Sequence, residues 1–500
     1  MGKKKSVVLM TLITIVTVVL FALVAFPSFS FTFKGSVKNW NPFAKFYDLE
    51  ADLGGGYYTH YYPEGVISEI EYNSVLEEKT AIGADEAKEY AESYTRHGDT
   101  GLYLSTNEED GVVTKDKDGK YTVTEAFDEA FKATAEAVAA RYAQRGYSSF
   151  RVSVVDDYAL KVEIPSSDKA AGTVFQYFAF IGEFALNNGT ENVLEADEDE
   201  GVAMTDYIRS FKTQTMNETA YIEVKLTDEG VSKIKEITGD MVEASATTLS
   251  FKVGDNTVLQ LTVSETIKPE DKALYITAQD LNSAEVMSIV LNSALEAGDT
   301  GITFKAVGNN DIATYAPVYG ENVVTFMYIT VFAVLVIAIA LTIVRCKGFG
   351  VAVAYSSLAY FIIVTLCLVL VTEAVFEVSV GTVLMLVLGL ILNCWLGMRT
   401  YEAIKKEFYL GKTVESSVKV GFKKTILGTV DVCAILFGGA LAFLIAAAGA
   451  HTLAIQALIC FAALAFCSLL WTRAINFLMV SAAKDKNKYF GFVREDEDDE

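Results

Sequence analysis

The residues of this 500-residue chain that could carry chemistry lie in its most apolar stretches. Asp431 is the one acidic or basic residue well inside such a stretch, and a charge at the centre of a membrane helix costs at least about 2.5 kcal/mol. A carboxyl group there either exchanges protons with a cavity or a partner, or it extends along its helix toward Lys424 and the aqueous interface. The first interpretation requires that removal from water raise the carboxyl pKa, and the sequence favours neither.

Other residue groups lack the spacing of a catalytic or metal site. The six cysteines lie in or beside the apolar stretches without metal-ligand spacing, so neither a metal nor a stapling disulfide is expected. The glycines at 54–56 precede a strand pattern, whereas a phosphate-binding loop requires a helix there. The acidic stretch 191–200 is interpreted as a linker and His451 as a solvated loop residue. We expect a transport protein without a hydrolytic site.

The chain contains six long apolar stretches, and they determine where Asp431 and the cysteines lie. The mean hydropathy is +0.31 although 21% of the residues are charged, so charged and apolar residues are segregated. Each stretch holds the roughly 20 residues that a helix needs to cross a hydrocarbon core of about 30 Å. They are 7–26, 323–344, 351–371, 378–398, 425–447 and 453–471. We predict a helical membrane protein with six transmembrane helices, the first an uncleaved anchor because no small-residue cleavage pattern follows it.

Basic residues in the short connecting segments predict how the chain is oriented in the membrane, because basic segments resist translocation across it. Three lysines precede the first stretch, two basic residues separate the second and third, and seven separate the fourth and fifth. We therefore expect a multi-pass protein of the cell (cytoplasmic) membrane with both termini in the cytoplasm. Its expected parts are a cytoplasmic start (1–6), the first helix (7–26), an extracytoplasmic domain (27–321), five further helices (322–472) and a cytoplasmic acidic tail (473–500).

The extracytoplasmic segment is acidic and mixes helix and strand patterns. Residues 27–321 contain 24 basic and 51 acidic side chains, a net charge of −27, so nucleic-acid binding is not expected. Residues 124–146 predict a helix with an N-cap at Thr124 and a C-cap at Gly146. Further helices are predicted at 175–186, 228–242 and 283–296, and strands at 57–62, 150–155, 159–164, 221–226, 247–253, 258–263 and 273–276. The predicted fold of this domain is α+β.

Three stretches together resemble the SecD family of protein-export subunits. Residues 52–57 are similar to the family's D-L-x-G-G signature after the first membrane helix. Residues 399–413 resemble its cytoplasmic helix F-E-R-I-K-E-E-L-R-L-G-K-S, and residues 421–431 resemble G-F-K-R-A-F-S-T-I-I-D without a gap. The residues that carry the resemblance are Asp52, Leu53, Gly55, Gly56, Glu402, Gly411, Lys412, Gly421 and Phe422.

The resemblance implies a subunit with a ferredoxin-like extracytoplasmic domain that assists the translocation of secreted chains across the cytoplasmic membrane. Its expected partners are a SecF-like membrane subunit in a heterodimer, the Sec translocon channel, unfolded exported polypeptides and membrane lipid. No cofactor is expected, and the proton gradient is the candidate energy source.

One departure from the family concerns the fourth apolar stretch, where SecD proteins carry an aspartate in the sequence D-A-N-V. Counting back from Glu402 places Trp395 at that position, whereas alignment on Gly389 places Asn393 there. Neither side chain titrates, which questions direct proton coupling. Two alternatives therefore stay open: a non-energised membrane chaperone or binding relative, and half of a resistance-nodulation-division exporter of small molecules or lipids.

Overall fold

The chain was analysed as a computed structural model that describes residues 3–25, 29–33, 36–40, 48–147, 149–196, 203–217, 219–297, 302–370, 377–446 and 451–492. It divides into two compact units. One comprises Met1–Gly55 and Ala316–Glu500, and the other comprises Gly56–Tyr315. We call them the helical unit and the sheet-rich unit.

The elements are numbered in chain order. The helices are α1 (Lys3–Ala25), α2 (Ala51–Gly54), α3 (Glu69–Ile82), α4 (Ala84–Glu92), α5 (Glu125–Arg145), α6 (Ala171–Phe178), α7 (Asp228–Glu243), α8 (Leu281–Ala297), α9 (Val323–Leu370), α10 (Val380–Tyr409), α11 (Val414–Ala446), α12 (His451–Ala465), α13 (Thr472–Ala482) and α14 (Lys486–Phe490). The strands are β1 (Phe29–Phe33), β2 (Ser36–Trp40), β3 (Gly56–Tyr61), β4 (Val66–Ser68), β5 (Tyr94–His97), β6 (Leu102–Ser105), β7 (Val113–Lys115), β8 (Tyr121–Val123), β9 (Arg151–Val155), β10 (Ala159–Pro165), β11 (Phe184–Asn187), β12 (Asn192–Leu194), β13 (Ile208–Met216), β14 (Thr219–Leu226), β15 (Thr248–Val253), β16 (Asn256–Thr262), β17 (Ala273–Thr277) and β18 (Ala313–Tyr315).

Among the described residues, five helices are long and apolar enough to cross a membrane. They are α1, α9, α10, α11 and the continuous helix Thr452–Ala482, which joins α12 to α13 through a π-helical segment. We therefore treat the chain as a helical membrane protein. The helix α9 contains two of the predicted stretches, so the prediction of six crossings is neither confirmed nor contradicted by this number.

The 48-residue helix α9 reverses direction near its middle. Lys347 has non-helical dihedral angles, with φ 49° and ψ −130°. Residues 342 and 350 would be about 12 Å apart along a straight helix. Instead, a Cβ atom at Gly350 would lie 2.1 Å from the Thr342 carbonyl oxygen, so glycine permits this close approach. The two halves of α9 therefore form a tight helical hairpin, and each half is long enough for one crossing.

The C-terminal segment packs onto this hairpin. Phe490 is fully buried and Phe492 is 3% exposed, in an aromatic cluster with Tyr401 and Phe408. The Tyr401 hydroxyl donates a hydrogen bond to the Phe490 carbonyl at 3.1 Å. The first part of the predicted tail over 473–500 is therefore folded, since α13, α14 and the residues to 492 belong to the helical unit. Residues 493–500 lie outside the described residues.

The sheet-rich unit contains antiparallel sheets. Two are four-stranded, with orders β18-β3-β10-β9 and β12-β11-β15-β16, and two are three-stranded, with orders β13-β14-β17 and β4-β6-β5. The side chain of Thr124 caps α5, and Gly146 ends this helix with φ 84°. The helix predicted over 175–186 is wrong in its second half. There α6 ends at Phe178, and residues 184–187 form β11 between β12 and β15. The short run is apolar and buried, so its pattern does not distinguish helix from strand.

A buried ionic network joins three helices of the sheet-rich unit. Arg145 on α5 is 4% exposed, and its Nη2 atom lies 3.2 Å from Asp168 Oδ2. It also pairs with Glu285 on α8. One turn earlier, Arg141 donates to Ser293 Oγ on α8 at 3.0 Å and to the Phe178 carbonyl at the end of α6, also at 3.0 Å. The network fixes α5 against α6 and α8.

We predict that Arg145→Leu destabilises the sheet-rich unit by about 3–5 kcal/mol, because Asp168 would remain buried without its ionic partner. Chemical denaturation of a soluble fragment spanning 46–316 measures this difference. The fragment should unfold cooperatively and be indifferent to reductant, since the segment contains no cysteine.

The matched control is Arg151→Leu. Arg151 pairs with Glu163 at 3.8 Å, but its side chain is 75% exposed, so the expected change is below about 1 kcal/mol. Equal losses for the two variants, or non-cooperative unfolding of the fragment, would contradict the assignment of the network.

Candidate functional site

One face of α10 carries polar residues and glycines at intervals of three, four and seven residues. These intervals place them along a single side of the helix. All of them are buried, although most lie in a segment apolar enough to cross a membrane. They are Thr382, Gly389, Asn393, Gly397, Thr400 and Glu407. We call this set the polar face of α10.

Asn393 lies at the centre of the polar face and is 1% exposed. Its Nδ2 atom donates to Ser357 Oγ at 3.0 Å, and the Ser356 hydroxyl lies 3.2 Å from its Oδ1 atom. Both serines belong to the second half of α9. The amide is neutral, and both its oxygen and its nitrogen have partners, so it holds two helices together without exchanging a proton.

A π-helical segment completes this centre from a third helix. The segment Phe466–Trp471 interrupts the α-helical pattern between α12 and α13. Its Cys467 carbonyl accepts from Ser356 Oγ at 3.0 Å and from Thr472 Oγ1 at 2.9 Å. Isolated π-helical turns expose carbonyls to partners outside the helix and occur frequently at functional sites. Three helices thus meet at one hydrogen-bonded group around Asn393.

A second group of polar residues lies at the start of α10. Thr382 is 1% exposed, and Gln456 and Glu377 are fully buried. The Thr382 hydroxyl donates to Gln456 Oε1, and Gln456 Nε2 donates to the Glu377 carbonyl at 2.7 Å. The sequence analysis considered neither Glu377 nor Gln456. The signal that could have found Thr382 is its place seven residues before Gly389, on the same side of the helix as Asn393.

The opposite end of the polar face carries a buried charge. Glu407 is 2% exposed and pairs with Lys412 and, at 2.5 Å, with Lys424. In the structure Lys424 pairs with Glu407 and not with Asp431.

The other family-motif residues of this region have structural roles. Glu402 pairs with Arg345 at 2.9 Å, and Gly411 turns the chain after α10 with φ 88°. Gly421 allows α11 to cross α10 closely, since a Cβ atom there would lie 2.9 Å from the backbone of Ile404. Phe422 belongs to the aromatic cluster of the C-terminal segment.

The motif at 52–56 covers the end of α2 and the first residue of β3. Asp52 and the buried Leu53 belong to α2. Gly55 follows with φ 68°, and Gly56 begins β3. A Cβ atom at Gly56 would lie 2.1 Å from the Ile164 carbonyl oxygen on the neighbouring strand, so a side chain is excluded.

Asp431 lies away from the polar face. Its side chain is exposed on α11, and among the described residues it forms no ion pair within 4 Å. Leu427 and Ile435, one turn before and one turn after it, are 72% and 73% exposed. The structure therefore does not bring Asp431 together with Asn393, whose partners are serines.

Trp395 and Asn393 were the two possible positions for the family's aspartate. Trp395 is 44% exposed, with the Arg399 guanidinium 5.8 Å from its ring centre. Asn393 points inward, and it is the position where a buried polar group has partners. The geometry thus favours the alignment on Gly389.

In chain order, the sheet-rich unit lies between α1 and α9, the first two of the long apolar helices. This order is typical of a class of membrane proteins that carry a large domain between their first two membrane helices. The fold is that of SecDF. A crystal structure of SecDF in its super-membrane-facing form matches 94% of this chain with a TM-score of 0.52 and 14% sequence identity. A crystal structure of SecDF from Thermus thermophilus, described as a translocon-associated membrane protein, matches 95% of it with a TM-score of 0.41 and 14% identity.

The chain spans 57% and 60% of the lengths of these two SecDF chains. No protein-family model and no curated protein sequence matches it. At this identity the likeness establishes the fold of the chain.

We predict that Asn393→Leu lowers the free energy of unfolding by about 1–3 kcal/mol, because Ser356 and Ser357 lose a buried hydrogen-bond partner. Thermal unfolding of the purified protein in detergent measures the loss. Trp395→Leu, two residues away on the exposed side of α10, is the control and should change stability little. A larger loss for Trp395→Leu would contradict the assignment of Asn393 to the interior.

Proposed function

We propose that the chain is a SecD-type accessory subunit of the Sec protein-export machinery, which assists secreted chains in crossing the cytoplasmic membrane. The observation that carries this proposal is the SecDF fold over 94% of the chain. The chain spans 57% of the matched SecDF chain. The partner in this proposal is a SecF-like membrane subunit, which the resemblance to the SecD family implies.

In this proposal α9 crosses the membrane twice, which gives six crossings and places both termini in the cytoplasm. Basic residues at the α9 reversal, Arg345 and Lys347, support this orientation because they favour the cytoplasmic side. The sheet-rich unit, for which we propose the ferredoxin-like fold that the family resemblance implies, is then outside the cytoplasm. There it would hold unfolded polypeptides that emerge from the translocon channel.

The exposed side of α11 is the proposed contact with the SecF-like subunit. Asp431 lies on this helix, and a carboxyl group exposed to hydrocarbon is unfavourable unless another chain covers it. Farther along α11, Cβ atoms at Gly438 and Gly439 would meet no atom within 4 Å. Small residues at such positions let two helices approach closely. One helix thus combines an unshielded charge with open space for a partner.

The energy source is proposed from the chemistry of two positions. In the alignment on Gly389, Asn393 occupies the place of the family's aspartate, but it is a neutral amide bonded to Ser357. Coupling to the proton gradient would therefore depend on Asp431 together with residues of the partner. The same observation at Asn393 favours the second candidate function, a membrane chaperone that uses no gradient.

We predict that depletion of the chain causes secretory precursors to accumulate in the cytoplasm. Asp431→Asn conserves side-chain volume but removes the titratable group, so gradient-dependent export should fall while the variant still co-purifies with its partner. Pulse-labelling of precursors, with and without an uncoupler, measures both effects.

Asn393→Asp is the converse variant, since it restores a carboxyl group in the interior. A stronger gradient dependence in this variant would mark a remaining proton path through α10. Unchanged export and unchanged gradient dependence in Asp431→Asn would exclude coupling by this chain and leave the chaperone function. Normal precursor processing after depletion would contradict a role in export.

We also predict that Gly438→Leu breaks the association with the SecF-like subunit, because the added side chain fills the space that the partner helix needs. Ala340→Leu is the matched control, since Ala340 is a small exposed residue on α9. Co-purification in mild detergent measures the association. Loss of the partner in both variants, or a stable active monomer without any partner, would contradict this contact.

A further inference from the structure

The helical unit contains a cavity of about 480 Å³ near the beginnings of α9 and α10. This volume lies within the range of about 300–1,000 Å³ that is typical of small-molecule sites. Four parts of the unit contribute to its wall: α2, both halves of α9, and α10. Among the described residues that line it, most side chains are apolar and none is acidic or basic.

The cavity has a buried floor. Val331, Leu368 and Leu386 line it with at most 8% of each side chain exposed, and Leu53 of α2 is 2% exposed. The backbone of this part of the chain is held in place, because Glu50 N donates to the Val378 carbonyl at 3.1 Å and Val378 N donates to the Asp48 carbonyl at 2.7 Å. The backbone beside the apolar floor is therefore held in place by hydrogen bonds.

The opening of the cavity is different in character. Thr325 and Tyr328 line the cavity and are exposed, so their hydroxyl-bearing side chains stand at its edge. The neighbouring Phe326 and Ile329 are 66% and 59% exposed. On a membrane helix, exposed apolar side chains contact lipid. The opening is thus continuous with the lipid-facing surface and combines a polar edge with an apolar interior.

We propose that this cavity binds one acyl chain of a membrane phospholipid. The alkyl chain would lie against the floor at Val331, Leu368 and Leu386. There it would fill the cavity and make van der Waals contacts with lining side chains that would otherwise face an empty space. The ester region of the lipid would remain at the edge, within reach of the hydroxyl groups of Thr325 and Tyr328. Because the described lining residues carry no charge, the interior favours the alkyl end of the lipid over its charged headgroup.

Photo-labelling of the full chain in phosphatidylcholine vesicles tests this proposal. The probe is a phosphatidylcholine with a diazirine at the end of one acyl chain, and peptide mapping locates the label. The expected result is label at the floor residues Val331, Leu368 or Leu386. Label confined to outward residues such as Phe326 and Ile329 would overturn the proposal, since it would show contact with bulk lipid alone.

Leu386→Trp and Leu384→Trp form the matched pair for this experiment. Leu386 lines the floor, whereas Leu384 on the same helix is 62% exposed. Leu386→Trp fills the cavity, so label at the floor should be lost, while Leu384→Trp should label as the unmodified chain does. Val331→Phe replaces Leu386→Trp if the latter is not monodisperse. Undiminished floor labelling in a folded, cavity-filling variant would contradict the proposed site.

Discussion

Inside a helix bundle without water, every polar group must find a partner within the protein, and this constraint organises the helical unit. The polar face of α10 satisfies it at three levels. Gln456 bridges Thr382 and the Glu377 backbone, Asn393 is bonded to two serines, and Glu407 is paired with two lysines. Each level connects α10 to a neighbouring part of the chain, so the same contacts that satisfy the polar groups also fix the packing of the bundle.

These contacts separate two kinds of polar residue. Asn393 is a neutral amide that contacts two serines, which suits a structural centre, whereas Asp431 is an acidic residue exposed on α11. A proton carrier must change its partners between states, and the amide of Asn393 has no titratable group. Any coupling in this chain therefore concerns its outer surface and the subunit proposed to cover it.

Local sequence signals predicted local structure well. Thr124 and Gly146 cap α5 as their residue types indicate, and the apolar stretches lie in long helices. The interior of the bundle could not be predicted, because the partners of Asn393 come from segments that are far away in sequence. The error at 175–186 arose where burial gives helix and strand the same apolar pattern. The folded part of 473–492 was missed because its aromatic residues acquire meaning only against Tyr401 and Phe408.

The central claim is that this chain assists protein export as one half of a SecDF-like assembly. The most direct measurement is the rate at which a labelled secretory precursor enters inverted cytoplasmic-membrane vesicles, with and without the chain, at equal amounts of translocon. The account predicts slower entry when the chain is absent and recovery when it is restored together with its partner. Equal rates in both kinds of vesicle would contradict it.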